Sequence, residues 1–265
     1  MHGERIVKDT QEQAVASWIN YINQMRINEL LKGLSQQDIN LDNALREIGE
    51  LKESVSRLLQ TNRGGAKGMH GFIAERMQVY FENARNLADG AGRGYSLIDD
   101  NGPVDFIGHG IDYQQKFVGK HLRLDAVKGH LDKYPDYIKN GGKYQIPKDY
   151  YERLKYLFEL PEKEGRKLAG EDYGLWKYVH EFFRDKHIAF SDIEPSVIDY
   201  RDAQRNVASK TISQEERRIK GHNQEKRERL YQKSQPSGRE LYKASAVALA
   251  AEGGMAFCMG VYRKR

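Results

Sequence analysis

The sequence predicts an α/β protein that leans towards α+β, with a helical N-terminal arm, a mixed core and a helical C-terminal extension. Three observations predict this class. Apolar residues recur every three or four positions near the N-terminus. Short β-prone runs with turn signals then lie between two helical segments, and a long polar segment of mixed charge follows. The expected domains are 1–62, 68–195 and 196–265.

Composition limits the classes of protein that the chain can belong to. It has 265 residues, of which 39% are hydrophobic and 10% aromatic, so we expect a packed core rather than a disordered chain. The formal net charge of +5 indicates an acidic partner, such as nucleic acid or an anionic membrane surface, or simply a basic solvated surface. The single cysteine, Cys258, excludes an intrachain disulfide and a cysteine-based zinc site. A reducing, cytoplasmic location is expected.

The N-terminal arm is predicted to be helical. Two amphipathic segments, 10–35 and 37–62, predict a helical hairpin or a short coiled coil. A coiled coil would make the chain a homo-oligomer through its N-terminal helices. The alternative is an amphipathic helix that lies on the domain. The sequence NRGGAKG at 62–68 then indicates a hinge.

The predicted core has the order helix, three strands, helix, strand. The turn signals DDNG and GHG separate the three strands, and NGG ends the second helix. Pro147 ends the last strand. The expected ranges are a helix over 68–90, strands over 95–98, 104–107 and 111–118, a helix within 122–138, and a strand over 143–147.

Polar side chains gather on the predicted hairpin. Alternation along a strand puts Asp112, Gln114 and Lys116 on one face, and Asp105 lies on the neighbouring strand. Such a hairpin is ordinarily the solvated face of a sheet. Here the alternate positions are apolar, and flanking helices predict that both faces are covered. Charged residues on a covered face need partners or a metal ion.

These elements and residues resemble the restriction-endonuclease-like, or PD-(D/E)xK, nuclease superfamily over about residues 68–150. That family carries a glutamate on the first helix, an aspartate on the second strand and (D/E/Q)-x-K on the third. The matching residues here are Glu75, Asp105, Gln114 and Lys116. Glutamine at position 114 departs from the commonest, acidic form of the motif, so this chain resembles a Q-x-K variant.

The resemblance implies an α-β-β-β-α-β core and Mg²⁺-dependent hydrolysis of phosphodiester bonds, with Mn²⁺ able to substitute. It implies a nucleic acid substrate, DNA rather than RNA, and a role in restriction, phage defence or as a toxin. Asp105 would be the central metal ligand, with Glu75 as a second carboxylate and Gln114 as a neutral ligand. Lys116 would hold the attacking water or stabilise the transition state.

Three further residues are accessory candidates. Asp112 shares the face of Gln114, and it is either an accessory ligand or a solvent-facing strand residue. His109 lies in the GHG turn, and His70 lies just before Glu75 on the predicted helix. Either histidine would contact phosphate or substrate, and His109 is alternatively only a turn residue.

The C-terminal extension leaves two questions open. Residues 196–233 predict a long, partly exposed helix, whose basic residues would otherwise contact phosphates. Residues 244–262 are apolar and small, which suits a buried helix or a membrane-associated segment. The alternative function is therefore a non-enzymatic helical adaptor that oligomerises, or a membrane-linked structural protein.

Overall fold

The protein has a mixed α/β fold, with seven α-helices and a five-stranded sheet among the residues described. A computed structural model describes residues 2–61, 65–100, 102–119, 122, 124–185 and 188–236. The elements are α1 (His2–Thr61), α2 (Gly65–Ala88), β1 (Tyr95–Leu97), β2 (Phe106–Gly108), β3 (Ile111–Gln115), α3 (Asp125–Lys133), β4 (Lys143–Ile146), α4 (Lys148–Glu159), α5 (Glu162–Gly165), α6 (Gly170–Asp185), β5 (Ile193–Pro195) and α7 (Ala208–Ser234).

The sheet has the order β1-β2-β3-β4-β5. The first three strands are antiparallel, whereas β4 is parallel to β3 and β5 is parallel to β4. A two-residue turn joins β2 to β3, with φ of 49° at His109 and 82° at Gly110. Two positive φ angles suit the right-handed twist of a tight hairpin, and glycine adopts them without steric cost.

The chain divides into two compact units. The larger unit spans Asn40–His222 and contains the whole sheet. The smaller unit comprises residues 1–39 and 223–265, of which 2–39 and 223–236 are described. Within it, α1 and α7 approach closely. The approach is shown at Gly33, where an added Cβ atom would lie only 3.1 Å from a methyl carbon of Leu230. Arg227 and Asp38 form an ion pair in the same unit.

One core of the larger unit lies where helices cover each other. The second half of α1 contributes apolar residues at helical spacing, and these pack against α2 and the first half of α7. The fully buried members include Ala44, Ile48, Leu51, Ile73, Ala74, Met77 and Ala84. The apolar stripe of 40–61 is therefore used within the chain, as the amphipathic-helix alternative expects.

The sheet is covered on both faces. Val79 on α2 packs with Phe106 and Tyr113, whose side chains point to one face. Tyr144 lies opposite Gln114 in the β3–β4 register, so it points to the other face. There it joins a second core formed with α3, α4 and α6.

The predicted order of helix, three strands, helix and strand is found, with bounds that differ by a few residues. Two features differ from expectation. The helix α1 continues through the position where a hairpin would turn, since one glycine costs only about 1 kcal/mol of helix propensity. Strand β5 is not predicted, because its three residues end in a proline.

None of the helices that the structure describes is both long enough and apolar enough to cross a bilayer. The apolar segment at 244–262, for which membrane association is predicted, lies outside the described residues.

Candidate active site

Asp105 lies where the pairing of β2 with β3 ends. The last paired residues are Phe106 and Tyr113, and the Asp105 amide still donates to the Tyr113 carbonyl oxygen at 2.8 Å. Two residues further along β3 than Tyr113, the Gln115 amide donates to Asp105 Oδ2 at 2.6 Å instead of to a backbone oxygen of β2. The carboxylate thus takes the place of a backbone acceptor at the point where the two strands separate.

Gln114 holds the same carboxylate oxygen from the side. It faces Asp105 across the strand pair, and its Nε2 donates to Asp105 Oδ2. Gln114 is 5% exposed, so this amide is fixed among packed groups. Because the nitrogen is used in this way, Oε1 is the only atom of Gln114 that remains able to coordinate a cation.

Asp105 and Lys116 share a partly buried environment that disfavours both of their charges. Burial raises the pKa of Asp105, although the Gln115 amide, Lys116 and Gln114 partly offset this rise. Burial lowers the pKa of Lys116, and the negative charges of Asp105 and Glu75 oppose that fall. A carboxylate and an ammonium group with pKa values displaced towards each other are typical of functional sites.

Glu75 approaches this pair from α2. It lies one turn before Val79, whose side chain packs on Phe106 and Tyr113, so both residues lie on the helix face that meets the sheet. Its carboxylate is near enough to Lys116 to raise the pKa of the ammonium group. The structure therefore brings Asp105, Gln114 and Lys116 together at the end of the β2–β3 pairing. Glu75 comes from α2, on the face of the sheet opposite Gln114, and it acts on Lys116 through its charge.

His130 on α3 is a buried neighbour that the sequence interpretation did not select. Its Nδ1 lies 2.7 Å from the Tyr144 hydroxyl, and burial together with the charge of Lys116 lowers the pKa of His130 to about 4. The imidazole is therefore neutral at neutral pH. Its position follows from the contact of α3 with β4, so no spacing within the sequence could have indicated it.

His70 lies near the other end of the candidate site. Its Nε2 lies 2.7 Å from the Phe117 carbonyl oxygen, so this nitrogen carries the proton and donates it. The Tyr200 ring packs against it edge to face, with ring centroids 5.4 Å apart. His70 thus holds the backbone directly after Lys116, and it meets the chain there rather than the Asp105 carboxylate.

The other two accessory candidates do not contact Asp105 in the part of the chain that the structure describes. His109 is in the β2–β3 turn, four residues along from Asp105 and so about 13 Å away at the usual strand rise. It packs edge to face on Tyr95, with ring centroids 5.0 Å apart. The Asp112 side chain is exposed, while its carbonyl oxygen lies 2.9 Å from the Tyr137 hydroxyl.

The oxygen atoms at this site suit a hard cation that is only partly held by protein. Within the described residues, no group of three or more His, Cys, Asp or Glu side chains is arranged to hold a metal ion. Mg²⁺ needs only one or two carboxylates when waters and substrate phosphates complete its coordination. Asp105 supplies one such carboxylate and Gln114 adds a neutral oxygen, so the residues that meet here fit a weak Mg²⁺ site that relies on substrate oxygens.

No protein-family model matches the chain, and neither a curated protein nor a solved structure matches it significantly.

Proposed function

We propose that this chain is a metal-dependent nuclease with a restriction-endonuclease-like core, which hydrolyses phosphodiester bonds of nucleic acid, DNA in preference to RNA. The observation that carries the proposal is the meeting of Asp105, Gln114 and Lys116 at the end of the β2–β3 pairing, with the charge of Glu75 acting on Lys116. The order of elements around them adds support, since two helices flank an antiparallel meander that is extended by a parallel strand.

The metal ion in this proposal is Mg²⁺ or Mn²⁺, held by Asp105, Glu75 and the oxygen of Gln114 together with phosphate oxygens of the substrate. Bound there, it would supply Lewis-acid stabilisation of the charge that builds up on the phosphate. Gln114 and the Gln115 amide fix Asp105 Oδ2, which leaves the other carboxylate oxygen for the cation. The carboxylate is therefore oriented before substrate binds.

Lys116 acts on the phosphate itself in this proposal. Its ammonium group is partly buried, so a hydrogen bond from it to a developing negative charge is stronger than the same bond in water. Its lowered pKa also makes it a readier proton donor than an exposed lysine. His70 keeps the backbone after Lys116 in place through the Phe117 carbonyl oxygen.

The deciding experiment is incubation of the full chain with plasmid, linear DNA and tRNA, in Mg²⁺ or Mn²⁺ and in EDTA. The matched variant is Asp105→Asn, because an amide oxygen still accepts the Gln115 and Gln114 hydrogen bonds while the negative charge is lost. We expect cleavage by the wild type with metal and none with EDTA. Asp105→Asn should lose roughly 1,000-fold in rate, or about 4 kcal/mol.

Asp136→Asn is the control, since this aspartate is exposed and makes only a surface ion pair with Lys139. It should cleave as the wild type does. The proposal fails if the wild type cleaves none of the three substrates in either metal, or if Asp105→Asn cleaves at the wild-type rate.

A further inference from the structure

A polar cleft of about 650 Å³ lies within the larger unit. It is formed by the last turns of α1, by α2 and by the chain after β1. We call it the Arg57 cleft. Its lining residues are Ser54, Arg57, Leu58, Thr61, Arg76 and Asp99.

One of its two arginines, Arg76, is held in place by contacts within the protein. The Arg76 side chain is 9% exposed, and its Nε donates to Ser54 Oγ at 3.0 Å. Another of its guanidinium nitrogens donates to the Phe72 carbonyl oxygen at 3.2 Å, and a third lies 3.7 Å from Asp99. This fixed guanidinium, paired with Asp99, forms a rigid wall of the cleft.

The other arginine is available to a ligand. Arg57 is exposed, and it forms no ion pair with any carboxylate among the described residues. Since Asp99 already pairs with Arg76, the charge of Arg57 is left uncompensated and the cleft is net positive. The Ser54 hydroxyl accepts from Arg76 and can donate its own proton to a ligand. An arginine whose planar donors are unused, beside such a hydroxyl, suits recognition of a phosphate group.

The Arg57 cleft adjoins the candidate active site through two elements. On α2, Arg76 directly follows Glu75. On the sheet, Asp99 directly follows Ile98, whose amide donates to the Asp105 carbonyl oxygen at 2.9 Å. A nucleic acid strand that reaches Asp105 therefore has other phosphates within reach of the cleft.

A second cleft of about 480 Å³, lined by α1, α2 and β1, does not have these properties. Its only arginine, Arg93, pairs with the buried Glu47 and lies near Glu50. Two carboxylates against one arginine would repel a phosphate. The comparison singles out the Arg57 cleft as the one of the two that suits an anion.

We propose that the Arg57 cleft binds a phosphodiester group of the nucleic acid substrate, beside the phosphate that is cleaved. This inference rests on the proposed function, and it adds a substrate-positioning site on α1 that lies outside the catalytic residues. Because the cleft would hold the substrate equally in the ground state and the transition state, it should affect binding rather than the chemical step.

The test measures binding of a short fluorescein-labelled DNA duplex by anisotropy, at several salt concentrations, with Ca²⁺ replacing Mg²⁺ so that the duplex stays intact. We expect Arg57→Ala to weaken binding roughly tenfold at low salt, as for the loss of one charge-assisted hydrogen bond. The slope of log Kd against log salt should fall by about 1. In cleavage assays KM should rise while kcat stays unchanged.

Arg166→Ala removes the same charge from an exposed arginine that is already paired with Glu162, and it should bind as the wild type does. Arg57→Lys should keep most of the salt slope. Wild-type affinity and slope in Arg57→Ala overturn the cleft inference, and they leave the nuclease proposal standing if the wild type cleaves. If the wild type binds but does not cleave, and Arg57→Ala weakens binding, the nuclease proposal fails and the phosphate site stands.

Discussion

At the residue scale, the candidate site depends on a single, partly buried lysine that lies near the charge of Asp105. Lys116→Ala should lower the single-turnover cleavage rate roughly 100-fold or more, equal to a transition-state contact of about 2.7–4 kcal/mol, while DNA binding changes little. The reason is that Lys116 is partly buried near Asp105, where charge would develop on the phosphate, rather than in open solvent. Rate and binding are measured separately, by single-turnover cleavage in Mg²⁺ and by anisotropy in Ca²⁺.

Lys139→Ala is the matched control for Lys116, because Lys139 is 81% exposed and lies in a surface loop. It should leave both measurements unchanged. An equal loss of binding and rate in Lys116→Ala would instead make Lys116 an ordinary phosphate-binding residue.

Gln114 permits a sharper test, because it is the residue that departs from the acidic form of the motif. In Gln114→Glu a second carboxylate replaces the amide that donates to Asp105 Oδ2. Two carboxylates in contact repel, so the metal-free variant should be less stable than the wild type near neutral pH, and acid should reduce the difference. A divalent cation neutralises both charges, so the variant should bind Mg²⁺ or Mn²⁺ more tightly.

Calorimetric titration of Mn²⁺ into both proteins, with thermal unfolding with and without the metal, measures these effects. Cleavage should survive at least in part, since the carboxylate is the commoner form of the motif. Metal affinity that does not change on Gln114→Glu would mean that Gln114 does not face the cation.

At the scale of secondary-structure elements, helix α3 is joined to the sheet by a polar contact with a pH dependence of its own. The pKa of His130 falls from 6.5 to about 4, chiefly through burial, so the folded chain binds its proton less readily than the unfolded chain does. The contribution of His130 to the free energy of unfolding is therefore complete above pH 6.5, and it is lost as the pH falls towards 4. This one group accounts for a loss of about 3 kcal/mol over that range.

His130→Asn isolates this effect, since an asparagine can still bond the Tyr144 hydroxyl but does not titrate. Urea unfolding between pH 7 and pH 4 should give a flatter stability curve for the variant. The raised pKa of Asp105 acts in the opposite direction, but it is present in both proteins and cancels in the difference. Parallel curves for the two proteins would contradict the assignment.

Elements whose signals are local could be predicted from the sequence, whereas those that depend on distant contacts could not. The GHG turn and the alternation along β3 are local, and together they predict that Asp105 faces Gln114. Strand β5 has only three residues and exists because it pairs with β4, some 50 residues earlier. The Gln115 amide likewise reaches Asp105 only because β2 leaves β3 at that residue, which no side-chain pattern records.

The same reasoning applies to the neighbours of the site. The position of Glu75 is predictable, because helical spacing puts it on the same face of α2 as Val79, and this face meets the sheet. The role of His130 is not predictable from the sequence, since its low pKa depends on the packing of α3 over β4 and on the charge of Lys116. Residue types and spacing therefore predict the polar group that would bind metal, while its electrostatics depend on tertiary packing.

At the scale of the whole molecule, the two units use their apolar residues differently. The larger unit buries the stripe of α1 from Ala44 to Leu58 within its own core. In the smaller unit, large apolar side chains of α1 remain exposed, with Trp18 at 53%, Tyr21 at 62% and Met25 at 44%. Their spacing of three and four residues puts them on one side of the helix, as in a coiled-coil seam.

We propose that this exposed seam of α1 pairs with the same seam of a second chain. These side chains are about half exposed, so covering each of them would contribute roughly half of the 1.5–3 kcal/mol that full burial of a large apolar side chain contributes. Association also costs several kcal/mol, so we expect a weak dimer that depends on concentration. Trp18→Glu combined with Met25→Glu should shift the mass seen in sedimentation equilibrium towards the monomer. The larger unit should be unaffected, because its core starts after these positions.

Asn23→Asp, an exposed polar change on the same helix, is the control, and it should leave the mass unchanged. A wild-type chain that stays monomeric at every concentration, or a double variant that associates as the wild type does, would rule out this seam as the contact.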